Sequence, residues 1–292
     1  MGYQLELRHF TYFLAVAEEL HFRKAAERLY ISQPGLSRQI RQMEEIIGAE
    51  LFVRNKRNVA LTTAGEYLKK ELDFILNHID FTLKQTRLMD AGGEGEIRVG
   101  FLGSAMQSVI PKLLVKVDKE FPGIQFSLEE LSNNLQVEAI QKDQLDLGFV
   151  RLSRVPDGLQ LKPVFTDTFS IALPMDYNLN EDNFTSIAQV AKENFILFSS
   201  DYSSLYYDTI MSICEDKRFT PRVTHKSVHA QTIFKLVESG LGIAIIPTSL
   251  QHGFDIRVKF LEIPNIPQRA ILSAIWKTDN RNPALQHILR FI

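Results

Sequence analysis

A chain of 292 residues, 45% apolar and 23% charged, is long enough for two domains with sizeable cores. Its formal net charge of −2 excludes a protein that binds nucleic acid with its whole surface, so any such contact is local. A lone cysteine, Cys214, excludes an intramolecular disulfide. No apolar run approaches the roughly 20 residues of a bilayer-spanning helix, and no charged-then-apolar segment opens the sequence, so a cytoplasmic location without membrane contact is expected.

In chain order, Leu7, Phe10, Phe13, Leu14, Ala17 and Leu20 trace a first amphipathic helix. Phe22, Ala25, Ala26 and Leu29 give a second, short helix with a narrow apolar stripe, and Tyr30-Ile31 make a tight connection. Ser32 is placed to cap a third helix, with Pro34 in its first turn, where a missing N–H costs nothing. Leu36, Ile40 and Met43 form its buried face, which leaves Gln33, Ser37, Arg38, Arg41 and Gln42 on the open one. That is the requirement of a helix-turn-helix, whose second helix presents an outer face to base edges and phosphates in a major groove. Residues 51–65 then read as a short strand, a basic turn and a returning strand. In this wing Arg54, Lys56 and Arg57 are candidates for pressing on phosphates or entering a minor groove.

At this point the sequence resembles the LysR-type transcriptional regulators. The matching residues are Leu7-Arg8-His9-Phe10, Phe22 to Ala26, Ser32-Gln33-Pro34, Leu36 to Ile40, Glu44-Glu45, Leu51-Phe52, Arg54 and Leu61 to Gly65. Gly35 departs from the pattern, since the family usually has Ala or a similarly good helix former there. A glycine at that position costs up to about 1 kcal/mol of helix stability. The resemblance implies a winged helix-turn-helix over 1–62 that binds double-stranded promoter DNA through Ser32, Gln33, Pro34, Ser37, Arg38, Arg41, Gln42, Arg54, Lys56 and Arg57.

From Thr63 a capping box, Thr63-Ala64-Gly65-Glu66, opens a long helix expected over 63–91. Leu68, Leu72, Ile75, Ile79, Thr82, Thr86 and Met89 alternate spacings of four and three, a heptad seam that reads as a dimerisation helix. Ala91-Gly92-Gly93-Glu94-Gly95 ends it, and the hinge is placed at 92–96.

The remainder, 97–292, alternates strands and helices. Strands are expected at 97–101, 124–131, 145–150, 169–174, 195–198, 222–224, 242–247 and 270–276, with helices between them and a last helix over 283–292. Strand–helix–strand succession implies parallel sheets. The arrangement is similar to the effector-binding domain of the same family, two α/β lobes related to periplasmic solute-binding proteins, with lobe I at about 97–165 and 265–292 and lobe II at about 166–264.

Ligands in such a fold sit between lobes at the carboxyl ends of strands. Ser104 follows the first strand and could cap the next helix, offering a hydroxyl and backbone N–H groups to an anion. Leu131 and Ser132 end the second strand, and Arg151 follows the third, where its charge favours a carboxylate. From the other lobe come Ser199, Ser200 and Tyr202, and His229, Gln231 and Thr232 at the mouth of a helix. The expected effector is a small molecule, a carboxylate by this chemistry. Catalysis is not expected: Gly100-Phe101-Leu102-Gly103 lacks a third glycine and a Walker lysine, the histidines lack metal-ligand spacing, and Cys214 lies within an amphipathic helix. No cofactor is expected. The resemblance implies a dimer or tetramer and also admits RNA polymerase as a partner. A second reading is a solute-binding or sensor protein whose N-terminal helices serve only for assembly, which salt-dependent, sequence-selective DNA binding would separate from the first.

Overall fold

The computed structural model describes residues 5–54, 59–90, 93 and 95–292, the side chains of Arg54 and Asp73 excepted. It divides into two units, Met1–Leu83 and Lys84–Ile292. In the first, α1 (Leu7–Glu19), α2 (Phe22–Arg28) and α3 (Gln33–Ile47) surround a core of Phe13, Val16, Ala25, Ala26, Leu36, Ile40, Met43 and Phe52. Phe52 holds its ring 5.3 Å from Phe13 and 5.8 Å from Phe22, which seats the wing against two helices. Ser32 accepts a hydrogen bond from the Gly35 N–H at 3.3 Å. A Cβ at Gly35 would come within 2.9 Å of that same hydroxyl oxygen, so the glycine leaves room for the cap.

The stripe of α1 differs from the sequence expectation at both ends. Leu7 in the first turn and Leu20, the left-handed C-cap with φ 45°, are exposed. His9 is buried instead, because its Nδ1 accepts the Glu6 N–H at 2.9 Å and so loses no polar partner by leaving water.

Strands β1 (Phe52–Arg54) and β2 (Val59–Leu61) pair antiparallel with Phe52 opposite Leu61. The Glu44 carboxylate on α3 accepts the N–H groups of Leu51 (2.9 Å) and Phe52 (3.2 Å), tying the entry to the wing to the reading helix. The wing tip, with Lys56 and Arg57, lies outside the described residues.

Helix α4 (Thr63–Asp90) begins one residue away from the expected capping box. Thr62, not Thr63, caps it: its hydroxyl accepts the Gly65 N–H at 3.0 Å and donates to the Glu50 carbonyl at 2.7 Å. A Cβ on Gly65 would fall 2.2 Å from the Leu51 carbonyl oxygen, so this close approach requires glycine. The heptad seam is also divided between roles. Leu72 is 1% exposed and belongs to the core of the first unit, with Leu68 against it, whereas Ile75 is 43% exposed. Ala91, the last residue expected of the helix, and Gly92 and Glu94 of the expected hinge lie outside the described residues, while Gly95 and Glu96 already belong to a strand. Gln85 brackets Glu96 with two 3.0 Å hydrogen bonds to its main chain, and Lys84 pairs with its carboxylate at 2.6 Å.

In the second unit, one sheet has the order β4-β3-β5-β12-β6. Its strands are β3 (Gly95–Phe101), β4 (Ile124–Glu130), β5 (Leu147–Val150), β6 (Leu159–Asp167) and β12 (Ala270–Lys277). Helices α5 (Gly103–Ser108), α6 (Ile110–Glu120) and α7 (Asn133–Gln141) connect the first three, and α10 (Pro283–Ile288) closes the chain. The other lobe holds β7 (Phe169–Pro174) between β10 (Ala244–Pro247) and β11 (Val258–Glu262), with β8 (Asn194–Phe198) beside β9 (Arg222–Ser227). Helices α8 (Ser204–Asp216) and α9 (Ala230–Glu238) cover them.

Only β4-β3-β5 and β8-β9 are parallel as expected; β12 runs antiparallel to β5 and β6, and β7 antiparallel to both neighbours. The reason is the double crossing. The chain leaves lobe I through β6 into β7 and returns through β11 into β12, so outgoing and returning strands oppose each other. Strands β6 and β11 carry half-exposed, non-alternating patterns, and the sequence reading did not anticipate β11 or most of β6.

The run Asp146-Leu147-Gly148 at the start of β5 is shaped by its neighbours. Buried Asp146 takes three hydrogen bonds from Arg98, two from the guanidinium at 3.0 Å and one from its N–H at 2.9 Å. A Cβ at Gly148 would strike Ile275 at 2.8 Å and the Gln136 amide at 2.9 Å.

Truncation of the seam should therefore separate its two roles. Leu72→Ala is expected to cost the first unit about 2–5 kcal/mol, and Ile75→Ala within about 0.5 kcal/mol, in urea unfolding followed at concentrations low enough to keep the chain monomeric. Equal losses at both positions would contradict the division.

Candidate DNA-reading face and effector cavity

On the first unit, Gln33, Arg38, Arg41 and Gln42 are exposed along α3 and Ser37 is half-buried. Pro34 sits in the exposed first turn and the Ser32 hydroxyl is spent on the cap. Of the cations on α1 and α2, Arg8 pairs with Glu6, Arg23 with Glu27 and Arg28 with Glu18, and among the described residues Lys24 enters no ion pair. Arg38 and Arg41 likewise enter none among the described residues, so α3 offers uncommitted positive charge beside amide groups. Gln side chains suit adenine edges, and Arg suits guanine or phosphate. The wing candidates cannot be added to this geometry, because Lys56, Arg57 and the side chain of Arg54 lie outside the described residues.

In the second unit, strands β3 and β5 lie side by side with Phe101 opposite Phe149, so the residues after them meet. Ser104 and Arg151, each 6% exposed, both line a cavity of about 30 Å³ between the lobes. Ser104 Oγ and Arg151 Nε have no hydrogen-bond partner. Such unmet buried groups call for a ligand or water. No carboxylate among the described residues lies in salt-bridge range of Arg151; its guanidinium rests 5.9 Å from the Tyr206 ring centre, and burial lowers its pKa.

Tyr202 closes the cavity from lobe II. The Gly103 N–H donates to its hydroxyl at 3.0 Å, and that hydroxyl donates to Glu130 at 2.9 Å. Burial pushes the Tyr202 phenol well above its usual range, so it stays a donor. Asn133 supplies the frame: its Oδ1 accepts the Arg151 N–H at 3.0 Å, and its Nδ2 donates to the Arg151 carbonyl at 2.9 Å and to Ser203 Oγ at 3.0 Å.

Three sequence candidates, Ser104, Arg151 and Tyr202, thus come together, and seven do not line this cavity. Ser132 caps α7 through the Leu135 N–H, and the Leu131 carbonyl is taken by Gln136. Ser199 accepts the Asp201 N–H, and Ser200 lies beside it outside the cavity. Gln231, like Thr232, faces solvent because Ile233 and Phe234 take the buried face of α9; Ala230 lines the cavity instead. His229 stands at 3.7 Å from Glu130 rather than in the cavity. The expected cap at Ser104 is corrected too: Leu102 is the N-cap of α5, which spans only six residues before a break at Val109. Glu130, Ser203, Tyr206 and Asn133 were missed. Tyr206 lies in the first turn of α8, just past the segment that carries Tyr202, and that proximity in sequence is the signal that could have found it.

Comparison with known proteins decides what this assembly is. Residues 90–292 match the family model described as LysR substrate binding domain, and residues 7–66 match that of the bacterial regulatory helix-turn-helix proteins, lysR family. The chain belongs to the LysR family. It is 32% identical over 286 residues to the HTH-type transcriptional regulator AlsR of Bacillus subtilis, covering 98% of this chain and 94% of that one. It is 31% identical to the Hca operon transcriptional activator HcaR of Escherichia coli, over 99% of this chain and 97% of that one. Full-length CbnR complexed with its target DNA shares the fold with a TM-score of 0.80 at 23% identity, covering 98% of each chain. As a LysR-family member the protein is a DNA-binding transcriptional regulator with a small-molecule effector domain, and the reading of its N-terminal helices as assembly elements alone is set aside.

For this LysR-family chain the described residues hold no cluster of three His, Cys, Asp or Glu arranged for a metal, and no helix long and apolar enough to cross a membrane. Cys214 is buried in α8, and burial pushes its thiol up to about 12, which keeps it protonated. Iodoacetamide at pH 8.5 is accordingly expected to leave Cys214 unmodified in the folded protein and to alkylate it in urea, where the thiol returns to about 8.5. Labelling at comparable rates in both states would show that burial does not protect it.

Proposed function

We propose that this regulator responds to a small carboxylate seated between Ser104 and Arg151, and that it reads its operator through Gln33, Arg38, Arg41 and Gln42. One observation carries the effector assignment: the two unpartnered buried polar groups of the second unit that face one cavity, Ser104 Oγ and Arg151 Nε, are a hydroxyl and an uncompensated cation. A carboxylate satisfies both. The space of about 30 Å³ holds roughly one water, so the effector enters only when Tyr202 withdraws. In doing so it takes the place of the phenol at the Gly103 N–H and releases Glu130, changing the contacts that hold the lobes together.

The transmission runs through assembly. Helix α4 leaves Ile75 and Met89 of the seam exposed, which supports pairing with a second copy in a dimer or tetramer, and a change in lobe contacts then alters the spacing of reading heads. The ligand shifts that equilibrium only by its differential affinity for the two arrangements. Partnership with promoter DNA supports a cytoplasmic location, and the absence of an activated nucleophile at Cys214 supports a role outside catalysis.

Titration of the full chain with small carboxylates, followed on labelled operator DNA, tests the site. Ser104→Ala should weaken the effector response about tenfold, since a hydrogen bond to a charged group is worth about 1.5–3 kcal/mol. Effector-free DNA binding should stay unchanged. Gln33→Ala should instead relax discrimination at one base pair by about 1–3 kcal/mol and leave the effector response intact. Identical behaviour of parent and variants toward every active compound would place the site elsewhere.

Assembly has its own readout. Ile75→Asp sets a charge in the seam at an exposed position, so cooperative occupancy of paired half-sites should fall while melting of both units is retained. Unchanged hydrodynamic size and cooperativity would show that the seam serves one chain alone.

A further inference from the structure

We infer that the effector unit carries a second ligand site, a cavity where the chain crosses between the lobes, suited to a small apolar monocarboxylate. This cavity has a volume of about 390 Å³, within the range of small-molecule sites and far larger than the Ser104 cavity. The two cavities share only Arg151 and Tyr206 in their walls. The second is bounded by the crossing strands themselves: Leu161 and Pro163 of β6, Phe169 at the start of β7 and Ile271 of β12, with Leu205 of α8 opposite.

Its chemistry is an apolar box with cationic corners. Arg151 is buried, lacks a carboxylate partner and has an unsatisfied Nε. Arg269 also lines the cavity, and its Nη1 is held by the main-chain carbonyls of Ile266 (2.8 Å) and Gln268 (2.7 Å), which aims the group without neutralising it. Arg151 has only the longer-range field of Asp167 and no carboxylate in salt-bridge range, so an entering carboxylate relieves part of its burial cost while its hydrocarbon part covers the apolar wall. No carboxylate side chain lines the cavity to repel it. A strongly polar ligand fits poorly, because apart from the two guanidinium corners the wall's side-chain hydroxyls are those of Ser153, Tyr206, Thr209 and Ser273.

Position gives the site a consequence. A ligand between β6, β12 and α8 touches both lobes at the crossing, so it biases their separation there, and it is coupled to the Ser104 cavity through the shared Arg151. The inference does not depend on that cavity being the effector site.

Isothermal titration of the full-length protein with cyclohexanecarboxylate and 4-methylpentanoate, against cyclohexanecarboxamide, tests it. The acids should bind and the amide should bind at least about tenfold more weakly. Ile271→Glu, at an exposed position, should lower acid affinity by about tenfold or more, and Arg269→Glu, on an exposed side chain, should do the same if the first variant folds poorly. Ser104→Ala should leave the Ile271-dependent binding of the acids in place, whatever it removes at the first cavity. Failure of both acids to bind, equal binding of the amide, or full binding by both glutamate variants overturns the proposal. Loss in Ser104→Ala with retention in Ile271→Glu also overturns it, since the acid would then occupy the first cavity, a result that leaves the effector assignment standing.

Discussion

The amide of Asn133 is the interaction on which the geometry of the effector unit depends. It is buried at the start of α7 and bonds both main-chain groups of Arg151, so the end of β5 is fixed to the end of β4. The same amide donates to Ser203, and the Asn133 N–H donates to the Tyr202 carbonyl at 3.2 Å, so lobe II is held by the residue that sets Arg151. A buried amide that meets its hydrogen-bond demand in this way specifies one arrangement, because every alternative leaves polar groups unpaired in low dielectric. One turn on, Gln136 repeats the device with its side chain bonded to Leu131 and to both main-chain groups of Phe149. Gly148 is the counterpart of this closeness, since a side chain there would push the amide away.

The reading unit uses the same economy with charge in place of an amide. Glu44 faces the unpaired N–H groups at the entry to the wing, and a charged acceptor makes those bonds stronger than a neutral one would. The entry to the wing is therefore tied to α3. That matters for DNA, because a helix in the major groove and a wing on the flanking backbone must keep a fixed offset to engage together.

What the sequence disclosed followed from periodicity and local chemistry. Leu36, Ile40 and Met43 sit at helical spacing behind a serine cap, and all three are buried. Ser104 and Arg151 were found together because adjacent parallel strands bring their carboxyl ends together. The heptad spacing of α4 was equally visible, yet spacing alone does not say what covers a seam: Leu72 is covered by its own domain and Ile75 is not. His9 escaped notice because its burial rests on a single bond to the Glu6 main chain. Glu130, Asn133 and Tyr206 come from three separate segments, and their meeting depends on lobe packing that no local pattern encodes. The antiparallel strands were misjudged for a related reason, since two crossings between lobes reverse chain direction without altering the strand–helix rhythm.

The closed arrangement also sets the thermodynamic terms of the proposed switch. Tyr202 makes one neutral and one charge-assisted hydrogen bond across the cleft, together about 2–4.5 kcal/mol at most, before the loss of its packing on Phe198 at 6.1 Å. An effector that displaces the phenol must recover this from Ser104, Arg151 and the Gly103 N–H. In the proposed switch a ligand at Arg151 relieves part of that residue's desolvation cost, and the Tyr202 bonds are the contacts it must displace.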